Sequence, residues 1–145
     1  MTNLDIFLID YEIYKSNSNW WLEIIEIFLK PGLSFIASFE KDYTNILEKL
    51  NDYGSDFKIS DEKNFIRVEG ILDKEMIRDF KESYKVLSGC DIDYYSPFIS
   101  LEIADNYCSG HYGREVYLTS LSKVEFDKVM KIINPLREYF KIDII

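Results

Sequence analysis

Hydrophobic and polar residues alternate along the chain in short runs that predict both strands and amphipathic helices. Leu4 to Tyr14 predicts a strand whose apolar face carries Phe7, Ile9, Tyr11 and Ile13. Trp20 to Lys30 fits two structures. As a helix it has its three charges on one narrow face, a cap at Ser18 and a stop at Pro31-Gly32; as a strand it would pair with the first run. The clustering of the charges favours the helix.

From Leu33 onward a β-rich run leads three times into an amphipathic helix and then into a short apolar-acidic run. In the first unit the strand is Phe35 to Phe39, the helix is Asp42 to Tyr53 and the exit segment is Phe57 to Ile59. In the second unit the same three segments are Phe65 to Leu72, Asp73 to Leu87 and Cys90 to Tyr94. In the third unit they are Glu115 to Leu121, Ser122 to Phe140 and Lys141 to Ile145. Pro135 must interrupt the last helix, and Asn134 can cap a fresh turn there. Phe98 to Ile103 adds a further strand.

These elements predict a single α+β domain over residues 1–145, with a mixed or antiparallel sheet and three to four helices. The two adjacent βαβ units between Leu33 and Tyr95 can form a ferredoxin-like core. Because any βαβ units of this size look alike, their similarity does not require an internal duplication.

The composition narrows the class of partner. The chain has 26 Asp and Glu against 17 Lys and Arg, a net charge of -9, and 16% aromatic residues. An acidic surface disfavours nucleic acid and anionic membranes as partners, because both require clustered cations. No apolar run reaches eighteen residues, and the N-terminal residues lack the basic start of a signal peptide. We therefore expect a cytoplasmic protein with reduced thiols.

Residues suited to catalysis are few. His111 follows Cys108 by three residues, and a nucleophile-base pair there would need an orienting group such as Asp105. A structural zinc site needs four Cys or His ligands, more than this segment supplies. A glycine-punctuated hairpin connection between Ile103 and Glu115 explains the segment more simply. We expect no catalytic residue, no metal and no cofactor.

Two segments combine acids or tyrosines in a way that suits a protein interface. The stretch before Pro97 holds Asp91, Asp93, Tyr94 and Tyr95, where carboxylates can steer a basic partner and tyrosines can supply contact area. The connection after Ile103 adds Tyr107 and Tyr112 as a second group. We predict these six residues as the partner-binding surface.

In its size, acidity, α+β pattern and shortage of catalytic residues, the chain resembles immunity proteins of bacterial toxin systems, such as contact-dependent growth inhibition. The resemblance is one of general character over the whole length and carries no motif, so no residue role follows from it. It implies tight binding to a cognate toxin domain, often a basic nuclease, and occlusion of the toxin's functional surface. Three other classes stay open: a nucleic-acid-mimicking phage antagonist, an enzyme using Cys108, His111 or a carboxylate pair, and a small-ligand-binding regulatory domain.

Overall fold

One eight-stranded sheet organises the fold, which is α+β as predicted. The computed structural model describes residues 1–16, 18–41, 57–79, 81 and 98–145. The strands are β1 (Thr2–Leu8), β2 (Ser34–Glu40), β3 (Lys58–Asp61), β4 (Phe65–Ile71), β5 (Ser100–Ile103), β6 (Tyr107–Gly110), β7 (Glu115–Leu121) and β8 (Phe140–Ile144). Their order across the sheet is β3-β4-β2-β5-β6-β7-β1-β8, and every neighbouring pair is antiparallel.

The helical segments lie between these strands. They are α1 (Trp20–Glu26), residues 74–79, and α2 (Lys123–Ile133), with 3-10 segments at Tyr11–Ser16, His111–Gly113 and Asn134–Tyr139. The predicted helix over Asp42 to Tyr53 and the predicted run Cys90 to Tyr94 lie outside the described residues. Among the residues that the structure describes, no helix is long and apolar enough to span a membrane.

The sheet consists of two halves with the same strand arrangement. In the first half, β2 and β3 run parallel with β4 between them, and β5 flanks β2, giving the β3-β4-β2-β5 order. This strand order is ferredoxin-like, with β5 as its last strand. The sequence predicted the last strand of that core at Cys90 to Tyr94, which lies outside the described residues. In the second half, β7 and β8 run parallel with β1 between them, and β6 flanks β7. The two halves meet in the β5-β6 hairpin.

The N-terminal strand completes the second half from the opposite end of the sequence. β1 pairs with β7 on one side and β8 on the other. Backbone hydrogen bonds between Asn3 and Ile145, of 3.1 and 2.9 Å, extend the β1-β8 ladder. Ser120 has a φ of 55° at an irregularity in the β1-β7 register, and its N–H donates to Asn3 Oδ1 at 2.9 Å. That bond satisfies a backbone group that the irregular ladder would otherwise leave unpaired.

One face of the sheet is covered by the described helices. Alternate strand residues point into this core and are almost fully buried, among them Leu4, Ile6, Val68, Ile103, Val116 and Leu118. Helix α1 supplies Trp20, whose ring lies 4.9 Å from that of Phe140 in an edge-on contact, and α2 supplies Val129 and Ile133. Helix α1 ends at Glu26, before the predicted end at Lys30, so the Pro31-Gly32 pair does not terminate it.

The first strand is shorter than predicted. β1 ends at Leu8, and its core face carries Leu4, Ile6 and Leu8, while Phe7 lies on the opposite face. After the strand, Asp10 Oδ1 accepts the N–H of Glu12 at 2.9 Å and the chain enters the Tyr11–Ser16 3-10 segment. This local Asp turn competes with strand extension and ends it.

The N-termini of α1 and α2 differ in how they are capped. Asn19, not Ser18, occupies the cap position of α1, and its side chain makes no capping hydrogen bond. Ser122, predicted as the first residue of the last helix, is the cap residue of α2: its Oγ accepts from Glu125 N at 3.1 Å, and Glu125 Oε1 accepts from Ser122 N at 3.0 Å. This reciprocal pair is a capping box. Pro135 then ends the α-helix, and the chain continues as a 3-10 segment into β8.

Candidate protein-binding face

The structure describes two of the six predicted partner-binding residues, Tyr107 and Tyr112. Asp91, Asp93, Tyr94 and Tyr95 lie outside the described residues. Tyr107 is 2% exposed on the core face of β6, with its ring 5.5 Å from that of Phe28. Tyr112 is half-buried, and its hydroxyl donates to a carboxylate oxygen of Glu40. Tyr107 therefore packs inside the protein, and Tyr112 lies at the edge of the opposite face.

The segment between Ile103 and Glu115 is more structured than the predicted hairpin connection. It contains β6, which a turn at 104–106 joins to β5. The sequence did not predict β6 as a strand, because Ser109 and Gly110 are not residues that favour strands. Three consecutive residues of the following turn, His111, Tyr112 and Gly113, have positive φ angles of 49°, 59° and 86°. This turn joins two strands, as expected for Gly110 to Gly113.

The sheet face opposite the described helices carries a surplus of acids. We call the outward-pointing residues of the eight strands the open face. In the described strands, six carboxylates and three cations alternate with the buried residues; they are Asp5, Glu40, Glu69, Glu102, Glu115 and Asp143, against Lys58, Arg67 and Lys141. An apolar helix could not cover such a surface without burying charges, so its composition suits water or a charged partner.

The charges at the two ends of the open face are partly neutralised within the chain. Arg67 lies 2.9 Å from Glu69, and Lys141 lies 3.9 Å from Asp143. The middle of the face differs, because within the described part of the chain no Lys or Arg pairs with Asp5 or Glu102. The unbalanced negative charge is therefore concentrated at the centre of the face.

A single row of four side chains crosses this centre. Glu102 pairs in register with Cys108, Cys108 with Tyr117, and Tyr117 with Asp5. We call Glu102, Cys108, Tyr117 and Asp5 the central row. Neighbouring strands lie about 4.8 Å apart, so the backbone positions of Glu102 and Asp5 are about 14 Å apart, with the Cys108 thiol and the Tyr117 phenol between them. Aromatic residues are enriched at protein interfaces, whereas charged groups belong to the polar rim, so Tyr117 is the member of the row best suited to the centre of a contact.

Hydrogen bonds hold the aromatic member of the row in place. Glu115 Oε2 accepts from the Tyr117 hydroxyl at 3.1 Å and lies 2.9 Å from His111 Nδ1. Phe7 packs edge-on against the Tyr117 ring at 5.6 Å. Burial, followed by the hydrogen bond to the Glu115 carboxylate, raises the pKa of Tyr117, so the phenol stays neutral at physiological pH. The ring is thus a fixed, uncharged contact surface.

The thiol in the central row is not activated. Burial, and secondly the Glu102 carboxylate, raise the pKa of Cys108, whereas reactive cysteines have a lowered pKa because a cation or helix N-terminus stabilises the thiolate. His111 directs Nδ1 to Glu115, as described above. In the described ranges, no three His, Cys, Asp or Glu residues are grouped closely enough to hold a metal ion. These surroundings favour recognition over chemistry at Cys108.

A cavity opens at one end of the central row. It has a volume of about 170 Å³ and is lined by residues of β5, β6 and β7 and of the turn between the first two; they are Glu102, Ala104, Asp105, Asn106, Tyr107, Cys108, Tyr117 and Thr119. The Asn106 amide donates to the Thr119 carbonyl at 3.0 Å and fixes one wall. Both charged residues of the lining, Glu102 and Asp105, are acids.

The sequence did not identify the central row, because its members come from four strands whose register depends on long-range pairing. Asp5 and Tyr117 are brought together by the pairing of β1 with β7. The one usable signal was the outward alternation of Glu102 between Leu101 and Ile103. No protein-family model, curated protein or solved structure matches this chain.

Proposed function

We propose that the chain is a cytoplasmic immunity-type inhibitor that binds a basic toxin domain through the open face and occludes the toxin's functional surface. The observation that carries the proposal is the central row, in which Asp5 and Glu102 flank Tyr117 without a cation from the described residues. A partner supplying Lys or Arg would complete these charges, and Tyr117 with Phe7 would exclude water from the new pairs.

The net charge of -9 adds a kinetic advantage. A surface whose charges share one sign raises the encounter rate with an oppositely charged partner, and salt reduces that gain. Fast, electrostatically steered capture suits a protein that must neutralise a toxin before the toxin finds its substrate.

The open face fits nucleic-acid mimicry less well. A nucleic-acid strand presents one phosphate per ~3.4 Å of helix axis, whereas the two acids of the central row are separated by two uncharged side chains, Cys108 and Tyr117. Lys58, Arg67 and Lys141 interrupt the remaining acids. The pattern favours a specific basic protein surface over a general DNA-binding groove.

The test begins with the product of the reading frame adjacent to the gene for this chain. That product should arrest growth when expressed alone, and co-expression of the chain should restore growth. Stopped-flow association of the two purified proteins should slow by at least about tenfold between low and physiological salt. A toxic product that the chain does not neutralise, or an association rate that salt does not change, contradicts the proposal.

Two variants with equal net charge locate the interface. Asp5→Asn with Glu102→Gln removes both acids of the central row, and Glu26→Gln with Asp127→Asn removes two exposed acids from the helices on the other side. Loss of an acid from a desolvated pair typically costs about 2–5 kcal/mol, so the first variant should weaken binding at least about thirtyfold. The second should mainly slow association. Equal losses in both variants contradict an interface on the open face.

A further inference from the structure

The cavity beside the central row has the size of one side chain. Its volume is about 170 Å³, while pockets for drug-sized ligands occupy about 300–1,000 Å³ and one water takes about 30 Å³. The space is therefore smaller than a pocket for a drug-sized ligand and suits a single long side chain.

The residues that line the cavity favour a positively charged side chain. Glu102 and Asp105 are exposed at the cavity, and no Lys or Arg contributes to the lining. Within the described part of the chain, neither acid forms an ion pair. The Glu102 charge already acts on the cavity floor, since it contributes to the raised pKa of Cys108. An anionic group would be repelled from this position, and a cation would be attracted.

The remaining lining suits an apolar stem. Cys108 of β6 and Tyr117 of β7 are half-buried and continue the row that starts at Glu102 of β5. Glu102 and Tyr117 stand two strand spacings apart, or about 10 Å. A side chain entering over the Tyr117 ring can lay its methylene groups against the ring and the thiol and bring its charged end to Glu102. Lysine and arginine combine such a stem with a terminal cation.

We infer that this cavity receives one lysine or arginine side chain of a protein partner, with Glu102 and Asp105 as counter-ions and Tyr117 as the packing surface. The identity of that partner rests on the proposed function, but the preference of the cavity for a cation belongs to the isolated chain. The inference therefore can be tested without the partner.

Cys108 provides a probe inside the cavity. The purified chain is treated separately with the cationic 2-(trimethylammonio)ethyl and the anionic 2-sulfonatoethyl methanethiosulfonate. Each reagent forms a mixed disulfide with the thiolate and releases methanesulfinate. Peptide mass mapping follows Cys108 separately from Cys90. The ratio of the cationic to the anionic rate cancels the thiolate fraction and reports the local potential.

The ratio should fall about fivefold in Glu102→Gln, because the removed charge attracts one reagent and repels the other. Asp143→Asn removes the same charge from β8, three strand spacings from β6, and should change the ratio by less than about twofold. An equal fall in both variants shows only the effect of net charge and overturns the inference.

A second measurement tests the fit of the side chain itself. Acetyl-arginine methylamide, titrated in the millimolar range, should shift the backbone amide resonances of Glu102, Cys108 and Tyr117. Acetyl-citrulline methylamide, which has nearly the same shape without the charge, should not. Equal shifts from both compounds, or no shift localised at these residues, overturn the inference. Because the toxin is absent from both measurements, such a failure leaves the growth-protection test of the proposed function unaffected.

Discussion

The substitution Ser122→Ala tests how strongly the start of α2 depends on its capping box. Ser122 Oγ accepts the Glu125 N–H at 3.1 Å, and alanine leaves this N–H without its intramolecular acceptor. Removal of a serine cap typically costs about 1 kcal/mol of stability. In a domain of this size that loss lowers the melting temperature by about 3 °C. Ser122→Asp keeps an acceptor at the same position and should retain most of the stability.

The second half of the box adds a pH dependence. The Glu125 carboxylate accepts the Ser122 N–H, and this bond is the main reason that the pKa of Glu125 lies below its usual value. A native pKa below the unfolded value of about 4.3 means that the ionised form stabilises the fold above that pH. The contribution is lost as the pH falls through the native pKa. Glu125→Gln should therefore destabilise the protein at pH 7 and by less at pH 3.

Urea unfolding at pH 7 and at pH 3, followed by circular dichroism, measures both effects. Asp127→Asn removes an exposed acid from the same helix and controls for net charge. The difference in unfolding free energy between the wild type and Glu125→Gln should shrink at pH 3, while the Ser122→Ala loss should persist. A Glu125→Gln difference that is the same at both pH values, or a Ser122→Ala variant as stable as the wild type, would refute the reasoning.

Two further substitutions test the packing beneath the open face. Ser109 Oγ is buried and, among the described residues, has no hydrogen-bond partner. Ser109→Ala should therefore raise the free energy of unfolding by about 1 kcal/mol. A loss of stability in urea unfolding would contradict this prediction. A Cβ added at Gly70 would lie 2.3 Å from Phe57 Cδ1, so Gly70→Ala should lower the free energy of unfolding by about 1–3 kcal/mol. Adding Phe57→Leu to the same chain should recover part of that loss. A double-mutant cycle that shows no coupling between the two positions would count against the contact.

Local patterns in the sequence predicted the elements whose ends are marked by local chemistry. β7 has its predicted bounds of Glu115–Leu121, and α2 begins after the Ser122 cap. The clustering of charges favoured a helix at α1, which forms over Trp20–Glu26 and leaves Lys30 beyond its end. The succession of elements also predicted a ferredoxin-like order, but with Cys90 to Tyr94 as its last strand, whereas β5 pairs with β2 in the structure.

The errors occurred where a non-local contact or a side-chain turn decides the structure. Strand alternation continues through Tyr11 in the sequence, but the Asp10 turn stops β1 at Leu8. β6 has too few β-branched residues to be recognised, and it exists because β5 and β7 pair with both of its edges. The candidate site depends on the same pairing, so local sequence could not reveal it.

The position of β1 between β7 and β8 also governs how the protein can fold as it is synthesised. β1 is synthesised before the two strands it pairs with, β7 and β8, which begin at Glu115 and Phe140. At ribosomal rates of about 5–20 residues per second, roughly 7–27 s separate the synthesis of β1 from completion of its second ladder. Through that interval the apolar side of β1 and both of its edges lack their native partners, a state prone to aggregation. Closure of the second half therefore comes last, and folding should be slow and governed by long-range contacts.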